Sequence, residues 1–136
     1  MRDTGLIRAK EDAIYEVYKR GLVEGKFRSF RDAGDWVCKQ PAPKFFIDSR
    51  TASLLIGKVL AGQSIHNMHS SSRRLVRQLH RNYVQFMEDN PGCTLSRDRV
   101  MELLVDEPAP EFYLTGDATR RILRKAIKRV RERWNR

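Results

Sequence analysis

Nine basic side chains crowd the end of this 136-residue chain: Arg120, Arg121, Arg124, Lys125, Lys128, Arg129, Arg131, Arg133 and Arg136 are opposed after residue 116 only by Asp117 and Glu132. Their excess of seven charges is most of the chain's formal +10. On a helical wheel Arg120, Arg121, Arg124, Lys125, Lys128 and Arg131 fill one arc, and Ile122, Leu123, Ala126, Ile127, Val130 and Trp134 fill the opposite one. Such a helix docks through one face and offers phosphate-seeking cations on the other. A second basic stretch, Arg73, Arg74, Arg77 and Arg81, contains no acid, and Arg73, Arg77 and Arg81 follow four-residue spacing along one stripe. Arginine dominates both stretches, and its planar fork suits phosphate and guanine. A face kept only for solubility would mix its signs, and like charges four apart on a helix are mutually unfavourable. The candidate phosphate contacts are therefore Arg73, Arg77, Arg81, Arg120, Arg121, Arg124, Lys125, Lys128 and Arg131.

Other chemistry is poorly represented. His66 and His69 form His-x-x-His, with His80 farther on, but no third ligand stands at a telling spacing. Cys38 and Cys93 occupy unrelated places and read as two reduced thiols. The acidic pairs Asp32/Asp35 and Asp106/Glu107 lack a partner base or nucleophile in a catalytic arrangement, and no glycine-rich phosphate loop occurs. Gly21 and Gly25 read as marks of a weak helix end. The expectation is a non-enzymatic protein without metal or cofactor.

The elements that must carry these residues follow from an internal repeat. Gln40-Pro41-Ala42-Pro43-Lys44-Phe45-Phe46-Ile47 returns 67 positions later as Glu107-Pro108-Ala109-Pro110-Glu111-Phe112-Tyr113-Leu114. A tandem duplication of a three-helix unit accounts for the echo, and a pseudo-twofold between the copies is expected. The first helix, from about residue 3 to 24, carries Leu6, Ile7, Ile14, Val17 and Tyr18, answered 69 positions on by Leu75, Val76, Tyr83, Phe86 and Met87. A short second helix starts at Ser29 or Ser96, with Ala33, Trp36 and Val37 matched by Val100, Leu103 and Leu104. Pro-Ala-Pro stops it near Lys39 and near Asp106, and the chain then runs extended. Asp48 and Thr115 cap the third helices, the first of which ends near Gly62. Phe45, Phe46, Phe112 and Tyr113 should enter the core, while the reversal of Lys44 to Glu111 suggests a solvated spacer.

The resulting expectation is an all-α fold of six helices: residues 1–62 as one repeat, 63–70 as linker and 71–136 as the second, closed into one compact domain, with Ser71 or Ser72 capping the fourth helix. The hydrophobic content of 40% marks a folded basic protein rather than a disordered tail. No stretch of signal or membrane-spanning length is seen, so a cytoplasmic protein that does not engage membranes is expected.

Pro108, Ala109, Pro110, Phe112, Tyr113, Leu114 and Thr115, followed by the basic helix, resemble a family of uncharacterised small basic proteins of gut bacteria and their phages and mobile elements. The resemblance covers nearly the whole chain and implies a phage or mobile-element setting, in a bacterial host or on a virion, but brings no activity with it. Two functions compete. One is a nucleic-acid-binding protein, for DNA or RNA, that holds the phosphate backbone through the C-terminal helix. The other is a virion or assembly component, structural or adaptor, acting through contacts with phage proteins or its own copies.

Overall fold

The computed structural model describes residues 4–135. These form six helices: α1 (Thr4–Glu24), α2 (Phe30–Val37), α3 (Ser49–Leu60), α4 (Ser70–Asp89), α5 (Arg97–Leu104) and α6 (Gly116–Trp134). Among the described residues there is no strand, and extended backbone pairs in one isolated antiparallel bridge, Ala42 with Ala109. The all-helical, six-helix expectation is met; the start of the first helix near residue 3 lies outside the described residues.

Helix starts follow side-chain chemistry. Ser29, Asp48, Ser96 and Thr115 each accept a bond from the amide three residues on, satisfying a donor that the first turn would otherwise leave open. The start of α4 differs from expectation. His69, not Ser71 or Ser72, precedes the first turn and its side chain makes no capping bond. Instead the Arg73 guanidinium donates to the His66 carbonyl at 3.1 Å, fastening the preceding linker to the helix. Gly25, with φ 66°, follows α1, and Gly62, with φ 78°, follows the C-cap of α3, conformations that glycine adopts without a Cβ penalty. Gly21 does not mark a helix end. It lies buried inside α1, where a Cβ would come within 2.8 Å of the Trp36 ring.

The chain divides into two compact units that do not follow sequence order. Among the described residues, the first unit holds those up to Ala42 and those from Ala109 onward; the second holds Pro43–Pro108. In the first, α6 packs on α1 and α2; in the second, α3 packs on α4 and α5. These units do not follow the expected division into residues 1–62 and 71–136: α6 lodges with α1 and α2, and α3 with α4 and α5. The physical reason lies in the Pro-Ala-Pro segments. They keep the chain extended where a tight turn would be needed to fold the third helix back, and backbone bonds then hold each crossing. Phe45 donates to the carbonyl of Val105, the C-cap of α5, at 2.9 Å. Phe112 donates to that of Cys38, the C-cap of α2, at 3.2 Å.

Ile14, Val17, Ala33, Val37, Phe112, Leu123 and Ala126 are buried in the first unit. Phe45, Ala52, Ile56, Val76, Leu79, Val100, Met101 and Leu104 are buried in the second. Only the leading aromatic of each repeated pair is fully buried; Phe46 and Tyr113 are half-buried, and Tyr113 adopts φ 57°, a left-handed backbone that is strained for an aromatic residue. On α5 the inward face is Val100, Met101 and Leu104, with Leu103 exposed, so it is turned by one side chain from the expected stripe. The solvated spacer expected at position 44 is an ion pair, Lys44 Nζ lying 3.1 Å from Asp106.

Candidate nucleic-acid interface

What positions α6 is a close crossing with α2. Gly34 lies where a Cβ would come within 2.6 Å of Arg120 Cγ and 2.8 Å of the Gly116 carbonyl, so the absence of a side chain lets the two backbones meet. Arg120 then closes the crossing. Its guanidinium donates to the Arg31 carbonyl at 2.7 Å and to Asp35 at 3.2 Å, and it pairs with Asp117 one turn earlier. The Arg120 hydrogen bond holds the Asp117 carboxyl below its ordinary range, and the same bond raises the guanidinium in turn. Arg120, predicted as a phosphate contact, is thus committed to carboxylates and a carbonyl of its own unit. Farther along, Arg129 pairs with the largely covered carboxylate of Glu11 on α1.

The remaining predicted cations of α6 stand differently. Arg121, Arg124, Lys125, Lys128 and Arg131 are all exposed, and among the described residues none closes an ion pair with a carboxylate. Their positions fall within about 120° of the helix circumference, from 100° of rotation per residue. Arg124 is steered by an aromatic partner, its Cζ lying 5.3 Å from the centre of the Phe30 ring. The buried faces of Thr119, Leu123 and Ala126 lie on the other side of the helix. Trp134 departs from the expected apolar arc. It is 83% exposed, because it stands in the last turn of α6, where α1 offers Arg8 and Asp12 instead of an apolar surface.

The predicted contacts on α4 are carried by a different unit. They belong to the second unit, whereas α6 belongs to the first. Arg73 is engaged with the linker carbonyl, Arg81 donates to Gln78 Oε1 at 2.8 Å, and Arg77 is exposed.

A feature that helical periodicity alone did not reveal is a groove between α1 and α6, a cavity of about 590 Å³. Tyr15 and Trp134 supply its aromatic surface, and Arg8, Lys19, Arg129 and Arg133 its cations. Part of that charge is balanced: Arg8 lies 3.8 Å from Asp12, Lys19 lies 2.7 Å from Glu16, and Arg129 is held by Glu11. Arg133 closes no ion pair among the described residues. The spacing of Arg8, Asp12, Tyr15 and Lys19 along one helical stripe could have marked this wall, but the sequence does not say that α6 forms the other.

Elsewhere polar groups serve packing. In the second unit Ser53 donates to Asp98 and receives a bond from Arg97 Nε at 3.1 Å, which ties α3 to the first turn of α5. Burial, followed by the nearby Asp35 charge, raises the Cys38 thiol, whose Sγ lies 3.4 Å from the Asp35 carbonyl. Among the described residues no three metal-binding side chains converge, and no helix is long and apolar enough to cross a membrane. No family model matches the chain, and comparisons with curated proteins and with solved structures find no significant match.

Proposed function

We propose that this protein binds nucleic acid without catalysing a reaction, holding the phosphate backbone against the outer face of α6. The observation that carries this function is the contrast within one helix. Arg120 and Arg129 are spent on carboxylates, while Arg121, Arg124, Lys125, Lys128 and Arg131 stay in solvent and close no ion pair among the described residues. Keeping five like charges together on one face is unfavourable in the free protein, and a polyanion relieves that repulsion while releasing its own counterions. Two anchored arginines fix the helix against the fold, so the free ones are offered from a rigid support.

A tandem duplication, with exchange of the third helices and a twofold relation between the copies, is part of the same proposal. It is supported by bonds that recur at the 67-residue offset: Phe45 to Val105 and Phe112 to Cys38 join equivalent positions. The contacts of the third helices recur too. Arg97 stacks against Gly57 in one unit, and at the equivalent positions Arg124 lies over Phe30 in the other. Only the later copy carries the basic face, so duplication supplied the scaffold and divergence supplied the charge. A setting in a phage or mobile element fits a small basic protein of this kind.

Electrophoretic titration with random-sequence duplex and single strands tests the binding. The intact protein should shift both, and Arg121→Glu combined with Lys125→Glu and Lys128→Glu should abolish the shift while leaving the helical circular dichroism unchanged. Absence of any shift by the intact protein, together with salt-insensitive oligomers, would instead favour an assembly component working through protein contacts.

A further inference from the structure

The exposed face of α6 accounts for backbone contact but not for Trp134, a large aromatic group left 83% in solvent beside a groove that also holds Tyr15. We propose that the groove between α1 and α6 is a binding site for an unpaired nucleotide, so that the protein takes single strands in preference to duplex. This rests on the nucleic-acid binding proposed above and specifies the form of the ligand. The cavity, about 590 Å³, is of the size that accommodates a small organic ligand of nucleotide dimensions. Its aromatic surface and its charge answer the two halves of a nucleotide. Trp134 presents an exposed ring on which a base can stack, and Tyr15, with Lys19 Nζ 5.0 Å from its ring centre, adds aromatic surface beside it; stacking tolerates any base because every base has a π-face. Arg133 stands one residue from Trp134 and closes no ion pair among the described residues, placed to meet the phosphate attached to a stacked base. Arg8 adds to it, being only loosely held by Asp12 at 3.8 Å.

The groove also adjoins the basic face. Around the axis of α6, Arg129 and Arg133 follow Lys125 in the direction away from Arg124, so a strand lying along the exposed cations can lead one nucleotide over the rim. Duplex DNA cannot use the site in this way. Its bases are stacked on one another, and only its phosphates reach the cations.

Trp134 provides its own signal, since the chain's other tryptophan, Trp36, packs against Phe27 at 5.9 Å between ring centres. Titration with a short polythymidine strand should quench the intrinsic fluorescence, and Trp134→Ala should remove most of that quench. The same substitution should weaken single-strand binding on the order of tenfold, as expected for loss of one stacked base, and leave duplex binding within twofold. Tyr15→Leu should reproduce the selective loss. Equal single-strand affinities for Trp134→Ala and the intact protein would overturn the groove site while leaving phosphate binding by α6 intact. If the intact protein bound neither strand nor duplex, both proposals would fall; so would the groove site if Trp134 responded only to anionic phospholipid vesicles.

Discussion

Ala42 and Ala109 exchange both backbone hydrogen bonds, amide to carbonyl at 2.9 Å in one direction and 3.0 Å in the other, although they stand at the same place in two copies of one motif. This reciprocal pair sits between the prolines of both Pro-Ala-Pro segments, where each chain is held extended. It is buried, both side chains being at most 3% exposed. Beyond it, α6 packs with α1 and α2, and α3 with α4 and α5.

Because each unit draws helices from both sequence halves, the halves should depend on one another. Fragments 1–66 and 67–136, prepared separately, should each lack a cooperative thermal transition as monomers, because each is deprived of the helix that completes its unit. Mixing them should restore helicity and a single sharp melt. A fragment that melts cooperatively as a monomer would contradict this pairing of helices.

The leading aromatic of each crossing is a core residue in its own unit. Phe45→Ala and Phe112→Ala should each destabilise the fold by about 3–5 kcal/mol, from lost burial and the cavity left behind. Phe46→Ala should cost less, since its ring is only half-buried. Urea denaturation of the three variants gives the comparison.

Lys44 and Asp106 form a pair 3.1 Å apart, with the lysine side chain one-third exposed. Sixty-seven positions away the same two places hold Glu111 and Lys39, opposite in sign at both. Lys44→Glu should therefore cost about 0.5–1 kcal/mol, and adding Asp106→Lys should recover most of it. A double-mutant cycle with no coupling would show that the pair is idle.

The start of α6 should be sensitive to acid. Arg120 lowers the Asp117 carboxyl from its ordinary value of 3.8, so the pair stabilises the folded state above that pH and its contribution is lost as pH falls through the lowered value. Asp117→Asn should lower the Tm at neutral pH, and the difference from the intact protein should shrink below pH 3.8. An equal difference throughout would remove Asp117 from the pH dependence.

Much of this architecture was legible in local signals. Capping side chains at Ser29, Asp48, Ser96 and Thr115 announced helix starts, and the prolines announced where α2 and α5 had to stop, because both act over three or four residues. The basic arc of α6 was legible for the same reason. The pairing of α6 with α1 and α2, and of α3 with α4 and α5, was not, since no local pattern states which pair of helices a third one joins. Arg120 shows the consequence: on a wheel it resembles Arg121, and only the approach of α2 through Gly34 turns it into a clamp on Asp35. Trp134 shows it in reverse, an apolar position left open because α1 presents charge there.

The central claim is that the free cations of α6 meet phosphates, and the salt dependence of binding tests it most directly. With five contacts, log K for duplex DNA should fall against log salt with a slope of about −4.5. Arg121→Ala or Lys128→Ala should each reduce the steepness by about 0.9. A slope near zero, or one indifferent to the loss of Arg121 and Lys128, would contradict the account.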